Sequence, residues 1–253
     1  SIISSNTSGI PIHMMLEDRS EDFKTNFLGT HFFNPPRYLE LLEIIPTPHT
    51  NPKLVKFLIE FGDRYLGKTT VLCKDTPAFI ANRVGVGGIL SLFHLVEKRG
   101  LSVEAIDKLT GPIIGRPKSA TFRTCDVVGL DTLVHVANGL YENCKNDEAR
   151  ASFKLPSYVE KLFKNKWFGD KTKQGFYKKT KDEKGKKVIL SLDLKSFEYK
   201  TPERIKYASL AKAKEIEDLR KRIKFLYHSK DEAGEFYREM FSDIFSYVSH
   251  RIP

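Results

Sequence analysis

His31 is the side chain in this sequence best matched to moving a proton near neutrality, since a free imidazole titrates at a pKa of about 6.5. It closes an apolar run and stands just before Asn34-Pro35-Pro36-Arg37. The same placement suits a structural histidine, hydrogen-bonded and half buried. Glu43 changes the weighing, because it sits inside Leu41-Leu42-Glu43-Ile44-Ile45, where a carboxylate is costly to bury without a partner. If neighbouring strands bring the two together, they form a base held and electrostatically supported by an acid. If Glu43 faces water from an edge strand, no such pair exists, and the pattern alone leaves both readings open. Asn6 and Ser8 lie in Asn6-Thr7-Ser8-Gly9, which is also ordinary turn chemistry. Asn82 falls one turn into a helix beside Phe79, Ile80 and Val84, where its amide can reach a substrate oxygen or bond the backbone. Cys73, Cys125 and Cys144 show neither CxxC nor Cys/His spacing, so no metal site and no disulfide framework is expected.

These residues need a sheet followed by helices to position them. Ile2 to Ser5 reads as the end of a buried strand, and Phe27 to Phe33 and Leu39 to Ile45 as two paired or neighbouring strands joined through the prolines. Asn51-Pro52 starts a helix by a cap and a proline at its first position, and Gly67 ends it. A strand over Thr69 to Cys73 leads to Asp75-Thr76-Pro77, another such start, and to a long helix from Ala78 to Lys98. From there the pattern is helical, with Ser102 capping a helix that ends at Gly111, Asp131 capping one through Tyr141, and Ser157 beginning another. Lys178 to Lys187 reads as a charged linker or hairpin, Ile205 to Leu226 as an amphipathic helix, and Ala233 to Val248 as a further one.

The chain of 253 residues is 40% hydrophobic, enough for a buried core. Its formal charge of +10 favours anionic partners, which include CoA and dinucleotides as much as nucleic acid. The lysines between Lys161 and Lys187 lack interleaved aromatic repeats, so a solvated face is the expectation rather than a nucleic-acid groove. No apolar run approaches the roughly 18 residues of a membrane span, and no signal peptide is visible, so no membrane association and a reducing cytoplasmic setting are expected. The absent initiator Met and the abrupt Arg251-Ile252-Pro253 suggest a fragment cut at both ends.

Taken together, Ser5-Asn-Thr-Ser, Gly29-Thr-His-Phe-Phe-Asn-Pro, Glu43 and Lys74-Asp-Thr-Pro-Ala-Phe-Ile-Ala-Asn-Arg closely resemble the 3-hydroxyacyl-CoA dehydrogenases. Asp126-Val-Val-Gly-Leu-Asp and Lys173-Gln-Gly-Phe-Tyr continue the resemblance in the family's order to about residue 179. Gly115-Arg-Pro-Lys-Ser-Ala-Thr-Phe-Arg is similar to a bacterial branch fused to an enoyl-CoA hydratase, and residues 233 to 253 resemble the start of the second helical copy in multifunctional members.

The resemblance implies an α/β then all-α fold: the C-terminal remnant of a Rossmann-like NAD domain, with three strands and a helix, followed by a helical C-terminal domain. The expected divisions are 1–75 for the partial NAD-binding domain, 76–179 for the helical substrate and dimerisation domain, 180–201 for a charged linker and 202–253 for the start of a second helical domain. The implied reaction is oxidation of an L-3-hydroxyacyl-CoA to the 3-ketoacyl-CoA in fatty-acid β-oxidation, with hydride passing to NAD. It makes His31 the general base, Glu43 its supporting acid, Ser8 and Asn82 substrate-binding residues, and Asn6 and Asn34 residues near the cofactor. The Gly-x-Gly-x-x-Gly fingerprint that would hold the NAD pyrophosphate is not in this sequence, so the NAD-binding lobe is expected to be largely absent and the fragment alone inactive or nearly so. Acyl-CoA is the expected partner, with any homodimer forming through the helical domain. Two other classes remain: a helical interaction module without catalysis, and a basic nucleic-acid-binding protein.

Overall fold

The computed structural model describes residues 1–251, so the last two positions of the 202–253 segment lie outside the described residues. Two compact units divide the chain, Ser1–Gly85 and Val86–Pro253.

The first unit is built on strands β1 (Ile3–Ser5), β2 (Phe27–Phe32), β3 (Leu41–Ile45) and β4 (Thr69–Leu72), with helix α1 (Glu21–Thr25) before β2 and helix α2 (Pro52–Arg64) between β3 and β4. The strands form one sheet in the order β1-β2-β3-β4. β1 and β2 run parallel, β2 and β3 antiparallel, β3 and β4 parallel. Helix α2 begins where sequence chemistry places it, since the Asn51 side chain accepts the Lys53 N–H at 2.9 Å and Pro52 fills a first-turn position that needs no donor. Its Leu54, Val55, Leu58 and Ile59 pack on Leu28, Leu42 and Ile44. Gly62 permits this approach, because a Cβ there would meet Thr70 Cγ2 at 2.5 Å. Alternate residues of a strand point to opposite faces, and so Phe27 and Ile45 instead join Ile12, Leu16, Cys73 and Phe79 in a second cluster. His31 and Glu43 have the same parity as those two residues and therefore share that second face.

The expected three strands and a helix are thus corrected to four strands and two helices before α3 (Ala81–Arg99), the helix within which the two units divide. Ile2 and Ile3 are 45% and 40% exposed, with β2 the strand that pairs with β1.

In the second unit, the rest of α3 is followed by α4 (Val103–Thr110), α5 (Phe122–Val128), α6 (Leu130–Asn143) and α7 (Ser157–Lys164). Ser102 caps α4 as read from the sequence, accepting the Ala105 N–H at 3.3 Å. Phe93, Phe122, Phe176 and Tyr158 interlock at its centre, with ring centroids 5.2 Å apart for Phe93 and Phe122 and 4.3 Å for Phe122 and Phe176. The unit is not all-α. Strands β5 (Tyr177–Lys181), β6 (Lys187–Leu192) and β7 (Tyr199–Lys200) form an antiparallel sheet across the segment expected as a 180–201 linker. The lysine density hides the alternation of Val188, Leu190 and Leu192, whose inward face meets the core where Leu192 N–H donates to the Phe176 carbonyl at 2.9 Å.

Further on, the single helix expected over Ile205 to Leu226 is two, α8 (Ala208–Ala213) and α9 (Leu219–His228), because Asp218 starts a new helix by accepting the Lys221 N–H at 2.8 Å. Helix α10 (Glu232–Ser249) is capped by Asp231, and its buried Tyr237 donates to the Leu109 carbonyl at 2.7 Å. Residues expected as a second helical domain are therefore packed within the same unit as α4. Asp131 does not act as a cap, because it lies inside the first turn of α6 with Gly129 at the cap position, whereas α7 begins at Ser157 as the sequence predicts. No helix among the described residues is long and apolar enough to cross a membrane.

Candidate active site

Antiparallel pairing of β2 and β3 sets His31 directly opposite Glu43. Residues so opposed have side chains on one face at close range, and here the imidazole Nδ1 lies 2.7 Å from Glu43 Oε2. The water-facing reading of Glu43 is excluded, since His31 is 3% and Glu43 1% exposed. Phe33 and Phe79 flank the imidazole, their ring centroids 4.4 and 5.8 Å from its own. These rings fix its plane and keep Nδ1 aimed at the acid. Nε2 is neither hydrogen-bonded by a described residue nor fully sealed from solvent, so it is the nitrogen left to face a reactant.

The second carboxylate oxygen is held from another direction. Glu43 Oε1 accepts the Ile80 N–H at 3.1 Å and the Ala81 N–H at 2.8 Å, both at the start of α3. The amides of a helix's first turn have no partner in the helix and carry its positive end, which suits them to an anion. Ala78 and Phe79, at φ of +60° and +50°, turn the chain through the left-handed region immediately before these amides. Cys73 Sγ lies 3.6 Å from the same oxygen. Burial pushes the Glu43 pKa up, but the hydrogen bonds from His31, Ala81 and Ile80 together bring it below the usual carboxylate value. Glu43 is therefore an anion at neutral pH and orients the imidazole with a proton on Nδ1. Burial first and then the charge of Glu43 push the Cys73 thiol up to about 12, so it remains an S–H donor.

The remaining sequence candidates fall around this pair with different degrees of commitment. Asn82 Nδ2 donates to the Ser8 carbonyl at 2.7 Å, which brings these two residues together through the backbone of one and the side chain of the other. The Ser8 side chain is on an exposed residue. Asn6 Oδ1 accepts the Phe32 N–H at 2.8 Å and ties the end of β1 to the end of β2, one residue past His31. Asn34 is exposed, at a cis peptide bond to Pro35.

Asn6, Ser8, His31 and Asn34 thus all lie at or just beyond the carboxyl ends of the parallel strands β1 and β2. That is the edge of an α/β sheet at which dinucleotides bind. The Asn6 amide nitrogen and the exposed Asn34 side chain fit the polar end of such a cofactor. No group of three or more His, Cys, Asp or Glu is placed to hold a metal ion among the described residues.

Sequence reasoning missed Cys73 and the Ile80 and Ala81 amides. The amides carry no side-chain signal, although the cap-plus-proline start at Asp75-Thr76-Pro77 marks a helix beginning whose donors need an acceptor. For Cys73 there was no signal, because only the pairing of β3 with β4 carries it to Glu43.

The chain is similar to known proteins over most of its length. Residues 1–76 match the model of the 3-hydroxyacyl-CoA dehydrogenase NAD binding domain, and residues 79–179 that of the 3-hydroxyacyl-CoA dehydrogenase C-terminal domain. A Bacillus subtilis (strain 168) protein named as a probable 3-hydroxyacyl-CoA dehydrogenase is 49% identical over 234 residues, covering 92% of this chain and 29% of its own length. A Rickettsia felis protein bearing the name of a fatty acid oxidation complex trifunctional enzyme is 29% identical over 100% of this chain and 34% of its own. Among solved structures, that of M. tuberculosis FadB2 aligns with a TM-score of 0.62 at 31% identity, over 70% of this chain and 60% of that one. The chain accordingly spans 29% of the Bacillus relative's length and about a third of the Rickettsia one.

Proposed function

The chain belongs to the 3-hydroxyacyl-CoA dehydrogenase family, and from that premise we propose that it carries the proton-transfer half of an NAD-dependent oxidation of 3-hydroxyacyl-CoA to 3-ketoacyl-CoA. The single observation that carries the reading is the buried 2.7 Å contact between His31 Nδ1 and Glu43 Oε2. When bound, NAD would take the hydride from substrate C3, and Asn6 and Asn34 are the residues assigned to its nicotinamide end. His31 Nε2 accepts the hydroxyl proton as that hydride leaves, so the product emerges as a neutral ketone. Glu43 keeps the proton of the resting ring on Nδ1 and offsets the cost of the imidazolium in a buried place. The Ser8 hydroxyl donates to the 3-oxygen of the substrate, and Asn82 holds the Ser8 backbone in place from the start of α3.

Residues 1–75 and 76–179 are assigned to cofactor-proximal and substrate-proximal roles respectively, within a longer multifunctional enzyme of fatty-acid oxidation. The similarity to the Rickettsia protein over the whole chain supports that context. The test is His31→Gln in the purified native protein, followed as NADH formation from a 3-hydroxyacyl-CoA. Loss of the base should lower kcat by about 10²- to 10⁴-fold while NAD binding, read by fluorescence, stays within a few-fold. Turnover within about tenfold of the parent would remove His31 from the role.

A further inference from the structure

We propose that Cys73 is a positioning residue for the His31–Glu43 pair: its thiol, 3.6 Å from Glu43 Oε1, completes a three-donor cradle with the Ile80 and Ala81 amides that holds the carboxylate with Oε2 turned to the imidazole. The inference rests on the reading of His31 as the base, and the tests below separate the two.

Glu43 has two oxygens with different work. Oε2 meets the histidine, and Oε1 meets three donors from two separate segments, the stretch after β4 and the first turn of α3. The two amide bonds, at 3.1 and 2.8 Å, are charge-assisted, and together they fix the carboxylate in place. A third strong donor on Oε1 would draw further charge from the group that must support an imidazolium. The thiol is a weak donor, so it occupies the last approach to Oε1 at little electrostatic cost. Its bulk also keeps water from doing so, since Cys73 is 3% exposed. The sulfur lies equally 3.6 Å from the Val71 carbonyl, which gives the single S–H proton a second, neutral acceptor two residues earlier in the same stretch of chain. Cys73 is itself fixed by its backbone N–H, which donates to the Ile44 carbonyl at 2.9 Å. The titratable groups of this cluster are His31 on β2, Glu43 on β3 and Cys73 after β4, while Phe33 and Phe79 supply apolar walls.

Three substitutions test the role by changing donor strength at one atom. Cys73→Ser supplies a stronger donor, which withdraws charge from Glu43 and weakens its support of the imidazolium. The acid limb of the kcat/KM profile should then move to lower pH by about 0.5 unit, roughly a threefold change in protonation ratio. Cys73→Ala removes the donor, and Cys73→Val removes it while filling the volume. Both should move the limb to higher pH by a similar amount, with KM unchanged within about twofold because the sulfur is placed away from substrate. A limb that stays fixed, or moves the same way for Ser and Val, overturns the proposal and leaves Cys73 a packing residue.

Ring ¹⁵N NMR of His31 in the unmodified and substituted chains reads the same coupling without turnover. If His31→Gln retains activity while the ring still responds to position 73, the base assignment fails and the cradle stands. If His31→Gln is inactive and the ring ignores position 73, the cradle fails and the base stands. For variants that do not fold, the infrared S–H stretch of the unmodified protein serves, because a thiol bonded to a carboxylate absorbs at lower frequency than a free one. A Cys73 band at the free-thiol position overturns the proposal, and a lowered band that moves as the imidazole is protonated supports it.

Discussion

Replacing Glu43 with glutamine exchanges one carboxylate oxygen for an amide NH2 and leaves the strand register untouched. The Ile80 and Ala81 amides, at 3.1 and 2.8 Å, need an acceptor, so the glutamine carbonyl must take the place of Oε1. The NH2 then occupies the place of Oε2, 2.7 Å from His31 Nδ1. Two donors cannot share that contact. The ring is forced into the tautomer with its proton on Nε2, and the nitrogen assigned to the substrate hydroxyl can no longer accept a proton. A loss of about 10²- to 10⁴-fold in kcat should follow, which corresponds to roughly 3 to 5.5 kcal/mol of activation free energy.

Stability should change much less. Each charge-assisted bond lost costs about 1.5–3 kcal/mol, but burial of the carboxylate is relieved at the same time, so the net effect should stay within about 2 kcal/mol. The acid side of the stability profile gives an independent check. The Glu43 pKa is lowered in the fold, so its contribution is present above the unfolded value near 4.5 and is lost as pH falls through the folded one. The glutamine variant should lack that loss. The assays are NADH formation at saturating substrate and thermal melts across pH 3 to 7. A kcat within about tenfold of the parent, in a variant that melts normally, would refute the argument that the carboxylate sets the tautomer.

Asp126 offers a contrast in the sign of its shift. It accepts the Phe176 and Tyr177 N–H groups at 2.9 and 2.8 Å, yet burial outweighs them and pushes its pKa up to about 6. Its contribution is therefore full below the unfolded value near 3.8 and is lost as pH rises through about 6, a slope that thermal melts should show and Asp126→Asn should flatten. Gly62→Ala should destabilise by about 1–3 kcal/mol in denaturant titration, because the added Cβ meets the stiff, β-branched Thr70. Lys173→Gly should raise stability by up to about 1 kcal/mol, since the exposed Lys173 sits at φ +64°, which glycine adopts without strain. An unchanged or lower melting temperature would contradict that account.

Part of the site was legible in the sequence. His31 at a strand end and Glu43 in an apolar run stand out as a base and an acid, but their pattern left the paired and the water-facing readings of Glu43 open, and only the family resemblance favoured the pair. The starts of α2 and α4 were equally legible, since capping is a local matter of one side chain and the amides two or three residues on. The Lys-rich stretch misled because charge masks a two-residue alternation. The single helix expected after Ile205 misled because a continuous amphipathic pattern does not reveal a second cap at Asp218.

What the sequence determined by itself was the two candidate side chains, His31 and Glu43, and the local signals that begin helices, since residue type and capping are read from the chain locally. Tertiary structure alone decided the register that sets His31 opposite Glu43, the parallel pairing of β3 with β4 that delivers Cys73, and the return of the α3 amides to Oε1. The physical reason is that hydrogen bonds between backbone and carboxylate, and contacts across thirty or more residues, depend on how strands and helix starts meet in space. No pattern of side chains along the chain encodes that meeting.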